Sequence, residues 1–153
     1  MEFVGKLTLN GQVDITDPCY DKSVWCRRTS YCQPGEYYGY IETKDEGEWG
    51  IRVSKIMIFK DNKACYTWDI IGNIGVDAGM AGFFNNKPDF NDKEWSELCD
   101  AVLYNGMAWA MYDGIFSDSG YGDGSYPVFT NEDRSAFMIM FIGDYDDEED
   151  YEE

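Results

Sequence analysis

One stretch of this chain carries the apolar spacing of a helix, and most of the rest is broken into short strand-like runs. In FNDKEWSELCDAVLYNG, residues 90–106, Trp95, Leu98, Cys99, Val102 and Leu103 recur three and four positions apart and share one helical face. Asn91 followed by Glu94 is a capping-box pattern, and Asn105-Gly106 is a stop signal. The spacing predicts a helix over about residues 92–104. Continuing it to Tyr112 would place Gly106 mid-helix at a cost of about 1 kcal/mol, so the helix should end there.

Around that helix the pattern is strand and turn. FVGKLTL meets a turn at Asn10-Gly11, and QVDI runs into Asp17-Pro18, where the residue before proline is pushed out of the helical region. YYGYIE, GIRVSKIMIF and ACYTWDIIG follow, and KDNK between the last two predicts a hairpin loop. A second hairpin is expected around Asp113-Gly114, and a third around NEDR, between YPVFT and SAFMIMFIG. SAFMIMFIG is apolar on both faces, which suits a central strand covered on both sides. The expected fold is a β-rich α+β domain over residues 1–143. Its antiparallel strands would form a sandwich or a strongly curved sheet, with one principal helix.

Charge limits the partners. The 153 residues include 30 acidic and 12 basic side chains and no histidine, a net charge of −18. Such a surface repels nucleic acid and anionic lipid and attracts basic protein surfaces or cations. Arg27-Arg28 is the only adjacent basic pair, too little for direct nucleic-acid binding. Part of the charge is local: Asp144, Tyr145, Asp146, Asp147, Glu148, Glu149, Asp150 and Tyr151 belong to a terminal run, 144–153, with no basic residue. Like charges resist collapse, so this run is expected to be a solvated tail. Its sharper reading is a polyanion that competes with nucleic acid for a basic groove, with Tyr145 and Tyr151 as aromatic anchors.

The five cysteines, Cys19, Cys26, Cys32, Cys65 and Cys99, are odd in number and contain no C-x-x-C. That argues against a disulfide framework and, without histidine, against zinc. With no signal-like start and no membrane-length apolar run, a reduced cytoplasmic compartment is expected. Arg27 and Arg28 would depress the pKa of a neighbouring thiol, although such cysteines more often serve as small buried apolar residues.

The densest information lies in two glycine-spaced segments, GVDAGMAGFF (75–84) and SDSGYGDGSYPVF (117–129). If the second is extended, Gly120, Gly122 and Gly124 leave one face bare for close approach by a backbone, a ring or a ligand. If it is a turn, the glycines supply positive φ. Each segment carries an aspartate, so Asp77 and Asp123 either approach each other or anchor neighbouring loops. In the structural reading both accept backbone amides and hold tight turns. In the functional reading Asp77, Gly79, Ser119, Tyr121, Asp123, Ser125 and Tyr126 floor a ligand pocket.

Together the two segments resemble a widespread uncharacterised domain family of bacteria and their phages, in which D-A-G-x-x-G precedes S-G-x-G-D-G-x-Y-P-V. The matching residues are Asp77, Ala78, Gly79 and Gly82, then Ser119, Gly120, Gly122, Asp123, Gly124, Tyr126 and Pro127. The likeness covers about Val13 to Thr130, and it implies a shared fold but no established reaction.

Without histidine, acid–base work would fall to carboxylates, tyrosines or lysines. Ser119 and Ser125 have no evident base, and no G-x-S-x-G is present. The first functional expectation is therefore a non-enzymatic, cofactor-free module that binds a basic protein, such as a host nucleic-acid-binding or defence protein, by charge mimicry. The alternative is a nucleotide or metabolite site, or a metal-dependent hydrolase, between the two glycine segments. In that case Asp14, Asp17, Asp77, Asp118 and Asp123 would offer oxygen ligands to Mg²⁺ or Ca²⁺.

Overall fold

Alternating apolar side chains need a surface to cover, and here two sheets cover one another. The computed structural model describes residues 1–18, 27–86 and 90–143, the side chains of residues 103–105 excepted. Cys19, Cys26 and the acidic run 144–153 lie outside the described residues. In chain order the strands are β1 (Glu2–Leu9), β2 (Gln12–Thr16), β3 (Arg27–Tyr31), β4 (Gly35–Asp45), β5 (Ile51–Lys60), β6 (Asp69–Val76) and β7 (Met80–Phe84). Helix α1 (Asp92–Asn105) follows, then β8 (Ala108–Met111), β9 (Gly114–Asp118), β10 (Gly124–Thr130) and β11 (Ala136–Met140). The first sheet has the order β1-β4-β5-β11-β10-β6 and the second β3-β2-β7-β9-β8, with antiparallel pairing throughout. The fold is therefore the β-rich α+β class with a single helix, in its sandwich form.

The layers follow from side-chain alternation. Inward residues of the first sheet, among them Ile56, Ile58, Phe137 and Ile139, form one buried cluster with Val13, Ile15, Phe83 and Ile115 of the second. Gly39 lets the sheets close: a Cβ there would stand 2.6 Å from the Ile115 Cδ1. On the outer face of the second sheet, Met80, Phe84 and Phe116 pack under Leu98 and Val102 of α1. On the outer face of the first, Met57, Phe59, Ala136 and Met138 are covered by Cys65 and Trp68. Strand β11 is thus apolar on both faces because both faces are covered.

Helix α1 begins with the reciprocal bonds that the sequence predicts. Asn91 Oδ1 accepts the Glu94 amide at 2.8 Å, and Glu94 Oε1 accepts the Asn91 amide at 3.0 Å. It ends at Gly106, whose φ of 79° only glycine adopts without strain.

Two hairpins differ from expectation. Strands β5 and β6 do not pair, because β11 and β10 lie between them, and residues 61–68 instead cross the outer face to deliver Cys65 and Trp68. The turn joining β8 to β9 is centred on Tyr112 and Asp113, with φ of 54° and 57°. Gly114 already belongs to the strand, where a Cβ would meet the Phe84 ring at 2.1 Å.

The two glycine segments are the two crossovers between sheets at one end of the sandwich. Residues 77–79 carry the chain from β6 to β7, and residues 119–123 carry it from β9 to β10. The bare-faced extended strand is accordingly not formed: Gly120 and Gly122 have φ of 71° and 104° and belong to a turn. Gly82 acts differently, by close approach. A Cβ there would lie 2.1 Å from the Ile115 carbonyl oxygen and 2.6 Å from the Phe116 Cα, both backbone atoms that cannot step aside. Gly82→Ala should therefore lower unfolding free energy by about 3 kcal/mol in urea melts, and an unchanged midpoint would refute the close packing of β7 on β9.

Candidate functional site

A buried carboxylate between two sheets needs donors, and Asp17 finds them in the first crossover. Fully buried, it accepts the Asp77 and Ala78 amides on Oδ2 at 2.8 and 2.7 Å. The Ser119 amide then donates to the Gly79 carbonyl at 3.1 Å, joining the second crossover to the first. Within the second crossover the Ser119 hydroxyl donates to the Gly122 carbonyl at 2.8 Å, and the Tyr126 hydroxyl donates to the same oxygen at 2.7 Å.

A carboxylate outside the two glycine segments thus caps the first crossover. That carboxylate, Asp17, is buried, and Asp77 and Asp123 are both exposed. They stand just beyond Val76 and Gly124, the last register pair of β6 and β10 at the sandwich end. Ser125 is exposed on the first turn of β10, and burial raises the Tyr126 hydroxyl above its ordinary pKa. Ser119 is committed to its turn and is not poised as a nucleophile. The five aspartates offered as oxygen ligands are dispersed: Asp14 pairs with Arg27, Asp17 caps a turn and Asp118 faces Arg52. Among the described residues no three Asp, Glu or Cys side chains gather as a metal-holding group.

Between the crossovers lies a cleft of about 260 Å³, lined by Gly79, Asp118, Gly120, Tyr121 and Gly122 with Ile51, Arg52, Val53 and Met107. Its volume falls just below the range of about 300–1,000 Å³ typical of small-molecule sites. Arg52 organises its rim. Nη1 donates to the Gly120 carbonyl at 3.2 Å, Nε donates to the Trp49 carbonyl at 2.9 Å, and the guanidinium lies 4.7 Å from the Tyr121 ring centre. The Tyr121 hydroxyl donates to Glu46 Oε1 at 2.6 Å. Tyr121 is thereby held at 50% exposure; Ile51, which lines the same cleft, is 50% exposed, and Trp49, whose carbonyl Arg52 also meets, is 67% exposed.

A second polar feature lies on β2 and β3, on the outer face of the second sheet. Arg27 Nη2 donates to Asp14 Oδ2 at 2.6 Å, both side chains being only 6% exposed, and the Thr29 hydroxyl donates to Asp14 Oδ1 at 2.8 Å. This pair borders a larger cleft of about 510 Å³. Nothing in the strand pattern announced it, since RRTSY has no apolar alternation; the one signal was Asp14 between Val13 and Ile15, facing opposite to both. Of the cysteines, Cys32 is buried and its thiol is pushed up by that burial, the opposite of the depression expected from Arg27 and Arg28.

Comparison with family models, with curated proteins and with solved structures finds no match to this chain in any of the three. No helix among the described residues is long and apolar enough to cross a membrane.

Two measurements check these environments. Arg27→Met would strand a buried carboxylate and should cost about 3–5 kcal/mol, while pairing it with Asp14→Leu should recover much of that loss. Equal stability of the two variants would contradict a buried ion pair. Burial also raises the Asp118 carboxyl above the usual range, with the Arg52 charge pulling it back down. A raised carboxyl binds more protons folded than unfolded, so its contribution favours folding at low pH and is lost as pH rises through the raised value. Arg52→Ala should raise it further in a carboxyl NMR titration; a downward shift would contradict the assignment.

Proposed function

We propose that this chain is a binding module whose crossover end docks on a basic protein surface. The observation that carries the reading is exposed Tyr121, fixed by Arg52 and Glu46, with exposed Trp49 on the loop whose carbonyl Arg52 also holds, amid exposed carboxylates. Asp45 and Glu48 flank Trp49, and Asp77 and Asp123 flank the crossovers, all four exposed. The nearby cations are internally engaged: Lys44 lies 3.7 Å from Glu46, and Arg52 is held between Tyr121 and two carbonyls. The patch therefore offers aromatic anchors within a negative rim.

Tyrosine and tryptophan are enriched at interface centres, and a side chain already fixed loses little entropy on docking. The net charge of −18 adds long-range attraction for a basic partner. Residues 144–153 continue the chain from Gly143, whose carbonyl accepts Lys44 Nζ at 3.4 Å, so the acidic run is attached at this same end. In this reading Asp144 to Tyr151 extend the negative surface. A nucleic-acid-binding or defence protein of a bacterial host is the kind of partner that the resemblance of the glycine segments suggests.

The test is capture from a bacterial lysate by the full chain, its Trp49→Ala/Tyr121→Ala variant and a chain ending at Gly143. The expected result is a basic protein retained at low salt, weakened at least about tenfold by the double variant and released as the screening length falls below about 10 Å. Capture that is indifferent to both salt and the double variant would overturn the reading.

A further inference from the structure

Two opposite charges share the cleft between the crossovers and do not close on each other. Asp118 and Arg52 both line it, yet among the described residues the Asp118 carboxylate makes no ion pair and accepts no hydrogen bond. Its strand fixes it in place: the Asp118 amide donates to the Met107 carbonyl at 2.9 Å, and Asp118 stands opposite Met80 in the register of β7 and β9. Arg52 is held off by its other bonds. Nε and Nη1 are drawn to the Trp49 and Gly120 carbonyls, the guanidinium carbon lies over the Tyr121 ring, and Nη2 is left over. The buried side-chain atoms that lack a partner are on Arg27 and Arg28, so the Asp118 oxygens and Arg52 Nη2 are open to solvent and to a guest.

Each group needs a partner of the opposite sign. Burial raises the Asp118 carboxyl because its charged form is poorly hydrated, and an ammonium beside it would supply the missing interaction. A guanidinium nitrogen takes its strongest bonds from a carboxylate. A lone cation in the cleft would be attracted by Asp118 and repelled by Arg52, and a lone anion the reverse. A ligand that carries both charges gains at both groups, and its zero net charge is not repelled by a chain of −18. The side chains of Ile51, Val53 and Met107 add apolar surface to the same cleft. Gly79 and Gly122 also line it, and a Cβ added to either would meet no atom within 4 Å, so the space beside them is open. At about 260 Å³ the cleft is small for a drug-sized molecule and suits a guest of a few heavy atoms.

We propose that the cleft between the crossovers binds a free α-amino acid with an apolar side chain. Its ammonium lies against Asp118, its carboxylate accepts from Arg52 Nη2, and its side chain packs on Ile51, Val53 and Met107. The site shares Arg52 and Tyr121 with the docking patch but depends on Asp118, which the docking reading does not use. The two therefore stand or fall separately.

The experiment is a backbone-amide NMR titration of the full chain with L-valine, L-leucine and L-methionine. Isopentylamine and isocaproate, which keep the leucine side chain and one charge each, are titrated in parallel. The expected result is saturable shifts at Gly79, Gly120, Tyr121 and Gly122 with at least one amino acid, bound at least about tenfold more tightly than either analogue. Asp118→Asn should weaken that binding at least about tenfold. It should leave the thermal midpoint unchanged or raised, because it removes a desolvated charge that has no partner. Amino-acid binding of this kind supports the proposal whether or not a basic protein is captured from lysate. No saturable shift with any of the three amino acids, an analogue that binds as tightly as the best of them, or full affinity in Asp118→Asn would each overturn it.

Discussion

A single carboxylate, Asp17, clasps the end of this sandwich. The chain passes between the two sheets at 77–79 and again at 119–123, and each passage exposes backbone amides to an interior that must satisfy them. Asp17 is fully buried and takes two of those amides on one oxygen. The bond from the Ser119 amide to Gly79 then fastens the second crossover to the first. Tyr121 stands on the second of these crossovers, where Arg52 and Glu46 hold its side chain. The proline that follows Asp17 holds the chain out of the helical region at the point where the carboxylate must turn inward.

The clasp explains why the glycines fall where they do. Gly79 and Gly120 both have φ of 71°, so the two crossovers reverse direction tightly enough to lie against each other. Gly82 serves packing, admitting the β9 backbone where any side chain would collide with it. The same motif therefore mixes two physical demands, left-handed backbone and close approach, which in sequence look identical. The polar residues among these glycines are then spent on the turn itself, as Ser119 and Tyr126 are on the Gly122 carbonyl, or left exposed, as Asp123 is.

Local signals were legible and non-local ones were not. The start and stop of α1 could be read because capping box and terminal glycine are determined within four residues. The double-faced apolarity of β11 could be read because burial on both sides leaves no polar position. The supposed pairing of β5 with β6 failed because β11 and β10, from far along the chain, insert between them, a choice made by the sheet and not by the KDNK turn. Strand β3 was silent because an edge strand built as RRTSY is stabilised through Asp14, which alternation cannot reveal. At the crossover end, the motif residues Gly79 and Tyr121 proved to line one cleft, but Ile51 and Arg52, which complete it, come from a distant hairpin with no motif of its own.

The two crossovers behave as one clasped unit, which hydrogen exchange of the Asp77, Ala78 and Ser119 amides can test. In the native chain these three amides should exchange as slowly as those of the central strands β5 and β11, and Asp17→Asn should release all three together. Rapid exchange at these positions while the strands stay protected, or release of Asp77 and Ala78 without Ser119, would contradict it.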